Sequence, residues 1–150
     1  MSTLIQLKIK PTMPNTVDSV LNSLILNSET KSLLILEKWI NKLCETHAIS
    51  SEKYGNILIA VTEAVNNAIT HGNLNVVDKK TEVSYEFNEK SLSFYIKDEG
   101  SGFDFENLPD PTDPENIETP DGRGIFLMRH LSDDVVFHNE GSFVEISFDL

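Results

Sequence analysis

The chain has 150 residues, 12 Lys and Arg against 24 Asp and Glu for a formal charge of −12, 39% hydrophobic content and one cysteine. That length suits a single domain with a real core, while the acidity excludes direct nucleic-acid binding, which draws on clustered cations. Cys44 on its own excludes an intrachain disulfide and any multi-cysteine metal site.

No apolar run approaches the roughly 20 residues that span a bilayer, and MSTLIQLKIK lacks the apolar core of a signal peptide. The expectation is a soluble, cytoplasmic protein with no membrane partner. Two short apolar runs, LIQLKI and VLNSLIL, flank PTMPNT within residues 1–28. Both read as strands, with residues 1–19 set apart as an N-terminal extension or edge strand and residues 20–150 forming the domain. Ser28 or Thr30 is placed to cap a helix whose Leu33, Leu36, Ile40 and Leu43 share a face.

A second helix opens at Ser50 with Glu52 in its first turn. Its apolar face carries Tyr54, Ile57, Leu58, Val61, Ala64, Val65, Ala68 and Ile69, and Gly72 is expected to end it in a left-handed conformation. The period then changes to two. Val83, Tyr85 and Phe87, a turn at Asn88-Glu89, and Leu92, Phe94 and Ile96 predict a hairpin running straight into Asp98.

Residues 99–121 hold four of the six prolines and no positive charge. An aperiodic segment this long inside a domain is either functional or disordered. GRGIFLMRHL predicts a short helix, and VVFH with FVEISF a closing hairpin around Asn139-Glu140-Gly141. Together these predict an α+β two-layer sandwich, a mixed, mostly antiparallel sheet with helices on one face.

Three groups of residues sit at the edges of these elements. Glu63 and Asn67 lie one turn apart on the second helix, either as part of a solvated stripe or as a proton acceptor beside an amide oxygen for a hard cation. Asp98-Glu99-Gly100-Ser101-Gly102 is either a plain turn or a site where a carboxylate accepts from an exocyclic amine while the glycines admit a flat ring. Gly122-Arg123-Gly124 opens a helix whose free N–H groups, with Arg123, suit phosphate oxygens, although a surface arginine would look the same. The sequence has no GxxxxGK[ST] segment, which excludes a P-loop. His47, His71, His130 and His138 share no metal-ligand spacing.

In their order, EAVNNAITHGN, DEGSGFD and GRGIFLMRHL make the chain from about residue 20 to 150 resemble the GHKL ATPase/kinase superfamily with its Bergerat ATP-binding fold. Within it, the boxes look most like the anti-sigma-factor serine/threonine kinases. The resemblance implies that Asn67 holds the magnesium bridging the ATP phosphates and that Glu63 is the base for an acceptor serine. It also implies that Asp98 reads the adenine amine, with Gly100 and Gly102 shaping the base pocket. Residues 103–121 would be the ATP lid, and Gly122, Arg123 and Gly124 would meet the phosphates. Ser142 stands where the superfamily usually has a threonine near that Asp.

The partners implied are an anti-sigma-factor antagonist, phosphorylated on serine, a sigma factor sequestered when the antagonist is absent, and a second copy in a homodimer. Two alternatives remain at this point: an ATP-gated binding module without phosphoryl transfer, and a histidine-kinase-type catalytic domain.

Overall fold

The computed structural model describes residues 22–107, 110, 112–116 and 122–150. The expected LIQLKI strand, and with it the 1–19 extension, lies outside the described residues, as does part of the expected lid. VLNSLIL contributes β1 (Ser23–Asn27), followed by α1 (Ser32–Thr46), α2 (Ser51–Asn67), β2 (Lys80–Phe87), β3 (Ser91–Lys97), α3 (Arg123–Leu131), β4 (Asp134–His138) and β5 (Phe143–Asp149). The sheet order is β1-β2-β3-β5-β4. All four pairings are antiparallel, so the parallel component of the expected mixed sheet is not found among the described residues.

Alternation sets which face is buried, because successive strand side chains point to opposite sides. Val83 pairs with Ile96, Tyr85 with Phe94 and Phe87 with Leu92, which puts the whole apolar set of the predicted hairpin on one side. Asn88 closes its turn by accepting from the Lys90 and Ser91 amides at 2.8 and 3.0 Å. Val144, Ile146 and Phe148 of β5 continue the same face. Leu36, Ile40 and Leu43 of α1, Ile57, Val61 and Val65 of α2, and Ile125 and Met128 of α3 cover it. Each such fully buried side chain contributes about 1.5–3 kcal/mol by leaving water. Trp39 packs its edge on Tyr85 and Phe94, at 5.5 and 6.4 Å between ring centroids, at the margin of this core.

Helix ends follow the sequence only in part. Ser50 caps α2 as expected, its hydroxyl accepting from the Lys53 amide at 3.3 Å. For α1 the expected cap is corrected: Lys31 occupies the N-cap and offers no side-chain bond. Ser28 is buried instead and its hydroxyl donates to the Lys79 carbonyl at 2.6 Å, because the chain turns back toward β2 before the helix starts.

The end of α2 needs a second correction. Ala68–Gly72 forms a π turn, sealed by the Asn73 amide donating to the Ala68 carbonyl at 2.8 Å, and Gly72 does not take up a left-handed φ. The glycine is required there for a different reason, which lies in the site itself.

Candidate functional site

The cleft opens between the C-terminal half of α2, the end of β3 and the β4–β5 hairpin. Asn67, Asp98, Phe103, Phe137 and Gly141 line it, with Ala64, Ala68, Ile96, Met128 and Val144 behind them. Ala64 on α2 and Ala68 at the start of the π turn follow one another along the same side, so this wall of the cleft carries methyl groups where longer side chains would fill the gap.

Asp98 is at the floor, 6% exposed. Its amide donates to the Ser142 carbonyl at 2.9 Å, which ties the end of β3 to the hairpin, and its Oδ1 accepts from the Gly100 amide at 2.8 Å. Gly72 packs directly on the carboxylate: a Cβ at residue 72 would overlap Asp98, and one at residue 100 would overlap the Gly72 carbonyl. The π turn and the Asp98 loop thus meet backbone to backbone, a contact only glycine permits. Burial pushes the Asp98 carboxyl above its ordinary pKa, and the Gly100 amide and the Lys79 charge act in the opposite direction.

Beside it the Glu99 amide donates to Asn73 Oδ1 at 2.8 Å, and Asn73 is fully buried. The sequence reading gave Asn73 no role beyond the end of EAVNNAITHGN, since a buried asparagine has no periodicity to betray it.

Glu63 and Asn67 lie at the other end of the cleft, on the face of α2 turned toward α3. A Cβ on Gly124 would sit 2.8 Å from Glu63 Oε2 and 3.4 and 3.5 Å from the Asn67 amide atoms. The structure therefore brings the first and third sequence groups together, with Gly124 leaving the space between them open. Gly122, left-handed at φ 83°, is the N-cap of α3, and Arg123 begins the helix on an exposed position. Burial pushes the Glu63 carboxyl up as well. Among the described residues neither the Glu63 nor the Asn67 side chain has a hydrogen-bond or ion-pair partner. Asn66, adjacent in sequence, points to solvent.

Gly102, at φ 91°, lets the chain turn away from Asp98, and the Phe103 amide then donates to the Glu140 carbonyl at 3.0 Å. Phe103 and Phe105 pack on Phe137, with Phe105 stacked at 4.3 Å, so the first residues of the expected lid form a wall of the cleft. Phe103 and Phe105 were read only as the start of the lid and Phe137 only as part of the closing hairpin, so the sequence did not show that they form one aromatic wall. Ser142 joins the site through its backbone, and its hydroxyl donates to the Asn139 carbonyl at 2.9 Å, at the tip of the hairpin.

Residues 26–148 match the histidine kinase-like ATPase domain family. The chain belongs to that family. Its similar relatives include proteins named serine-protein kinase RsbW from Oceanobacillus iheyensis, 30% identical over 97 residues, and Listeria innocua, 30% over 99 residues. One from Bacillus cereus is 33% identical over 90 residues. These alignments cover 61%, 61% and 55% of this chain, and 61%, 63% and 56% of the relatives. The matched part is thus about three fifths of the length of these curated relatives. The superfamily resemblance and the α+β fold with helices on one face both stand. Among the described residues no helix is long and apolar enough to cross a membrane.

Proposed function

We propose that this chain is an ATP-dependent serine/threonine kinase that phosphorylates a serine on an anti-sigma-factor antagonist and sequesters a sigma factor when that antagonist is unavailable. The observation that carries the reading is the convergence of Glu63, Asn67 and the glycine-opened start of α3 at one end of a cleft whose other end is a buried, backbone-held aspartate. The RsbW names of the relatives support the choice of substrate class.

ATP enters as the phosphoryl donor. Asp98 accepts from the adenine amine, and the base lies in the gap left by Ala64 and Ala68. Gly100 and Gly102 keep side chains out of that pocket, and the Ser142 carbonyl holds the Asp98 amide in place. The N–H groups of Gly122, Arg123 and Gly124, with the Arg123 guanidinium, face the phosphates.

Asn67 is the residue that would hold a magnesium ion. It fits, as a neutral oxygen donor beside the phosphate end with no competing partner among the described residues. Among those residues no cluster of three His, Cys, Asp or Glu offers a fuller cage, which suits an ion that completes its shell with phosphates and water. When bound, the ion supplies charge neutralisation across the phosphates.

Glu63 takes the proton of the acceptor serine hydroxyl as the serine oxygen bonds to the γ-phosphorus, and the bond from that phosphorus to the bridging oxygen breaks with ADP leaving. Burial suits Glu63 to this task, since a raised pKa makes a carboxylate a stronger base. The test is capture of ATP-dependent partners from the source cells, followed by transfer from γ-labelled Mg-ATP to each partner. Label on a serine of an antagonist supports the proposal. A protein that binds ATP and partner yet transfers no phosphate is an ATP-gated binding module instead.

A further inference from the structure

We infer that Asn73 is a positioning residue for base selection: its side-chain oxygen holds the Glu99 amide, and through that peptide the Asp98 carboxylate, where an exocyclic amine is read. The inference rests on the nucleotide-binding reading above and adds to it the device that makes the pocket choose its base. Asn73 is 0% exposed and its side chain makes four bonds to three pieces of the fold: the β1–α1 junction, the start of β2 and the loop after Asp98. Nδ2 shares its two hydrogens among Ser28 Oγ at 2.9 Å, the Lys80 carbonyl at 3.0 Å and Thr81 Oγ1 at 3.2 Å. Oδ1 takes the Glu99 amide at 2.8 Å.

The two ends of the amide serve different purposes. The donor end joins the β1–α1 junction to the start of β2, and this is architecture. The acceptor end reaches into the loop that carries Asp98. That loop is bound on its other side by the Asp98 amide on the Ser142 carbonyl, so the carboxylate sits between two fixed peptides. The π turn delivers Asn73 to this place: its extra residue per turn rotates the chain so that Gly72 lies on Asp98 and Asn73 faces inward. With the Glu99 bond gone, the peptide after Asp98 loses its anchor to the core and the carboxylate, left with the Gly100 amide and the Gly72 contact, is held less firmly in direction, while the phosphate end, held by α2 and α3, is untouched.

A residue with a purely architectural role affects every nucleotide alike. A residue that aims Asp98 affects the choice between an amine and a carbonyl at the same ring position. Calorimetric titration of the full chain with Mg-ATP and with Mg-inosine triphosphate separates the two. The wild type is expected to prefer ATP. Asn73→Ala is expected to weaken ATP by roughly five- to a hundred-fold, the range for loss of a buried hydrogen bond, and inosine triphosphate much less, so that the ratio moves toward one.

Asn73→Asp keeps an acceptor for Glu99 but sets a carboxylate against the Lys80 carbonyl, so it should lower the urea midpoint and keep the ratio. Ser28→Ala removes two architectural bonds, the one it donates to the Lys79 carbonyl and the one it accepts from Asn73 Nδ2, and should also lower the midpoint with the ratio unchanged. If Asn73→Ala does not fold in plain buffer, the titrations are run in an osmolyte that restores its far-UV spectrum. Equal loss of both nucleotides in Asn73→Ala, or a wild-type ratio, overturns the inference and leaves the nucleotide site standing. A wild-type protein that binds neither nucleotide overturns the reading beneath it.

Discussion

Asp98 and Glu63 are both carboxylates that burial pushes above their ordinary pKa, yet the described residues hold one from several sides and give the other no partner. Asp98 has the Gly100 amide on its oxygen, Gly72 against its face and its own amide on Ser142. Glu63 faces the gap over Gly124 with no partner among the described residues. The difference fits the roles proposed for the two ends. Recognising a base needs an acceptor fixed before the ligand arrives, since ordering it afterwards costs affinity. Accepting a proton needs a basic group with free lone pairs until the acceptor hydroxyl comes within reach.

The largest expected effect breaks the unpartnered end alone. Glu63→Ala should lower phosphoryl transfer by about 10²–10⁴-fold, the usual contribution of a positioned base, while calorimetry finds Mg-ATP affinity nearly unchanged. Asn67→Ala should damage both, because it removes the side chain proposed to hold the metal. Wild-type transfer in Glu63→Ala would take the base role away from this residue. The same end sets the pH profile. Only the ionised carboxylate accepts a proton and burial raises its pKa, so the transfer rate should fall on acidification at a higher pH than an exposed glutamate would give. A rate flat down to the ordinary carboxylate range contradicts that.

The fixed end responds in binding. Asp98→Asn should weaken ATP by roughly five- to a hundred-fold, since an amide can turn a donor toward the adenine amine. Its stability should move the other way. Because the folded-state pKa of Asp98 is raised, its contribution is favourable in acid and is lost as pH climbs from the unfolded value through the folded one. At pH 7 the buried charge is a net cost that asparagine removes, so the thermal midpoint of Asp98→Asn should equal or exceed wild type at pH 7 and show no such gain near pH 3. A lower midpoint at pH 7 would mean the carboxylate stabilises the fold.

Gly72→Ala sharpens the comparison without touching a polar group. Its methyl must displace the Asp98 carboxylate, so ATP binding should weaken by several-fold or more, with a stability loss of about 1–3 kcal/mol from overpacking. The smallest effect belongs to Gly124→Ala. The added methyl comes closest to the far end of the flexible Glu63 side chain, at 2.8 Å, with the Asn67 amide atoms in looser contact at 3.4 and 3.5 Å, and should slow transfer a few-fold with ATP affinity little changed. Unchanged kinetics in that variant would separate Gly124 from the position of Glu63.

Much of this was legible before any coordinates. The alternation of Val83, Tyr85 and Phe87 with polar neighbours determines which side of β2 is buried, and the spacing of Ile57, Val61, Ala64 and Val65 does the same for α2. Glu63 and Asn67 were visible as polar residues one turn apart on that helix. What stayed hidden depends on contacts between distant segments. Gly72 reads as a helix stop, and only the approach of residues 98–100 shows that it makes room for a carboxylate. Asn73 carries no pattern, since its four partners come from three separate parts of the chain. The missing side-chain cap of α1 has the same origin: Ser28, a good cap by type, is drawn into the bond with the Lys79 carbonyl.

The measurement that tests the account most directly is amide hydrogen exchange of the wild-type protein with and without Mg-ATP. One cleft with its base end at Asp98 and its phosphate end at α3 predicts added protection in residues 98–103 and 122–128 together, with the strands at the outer edge of the sheet unchanged. Protection confined to one of those segments, or appearing only elsewhere, would contradict a single site built from both.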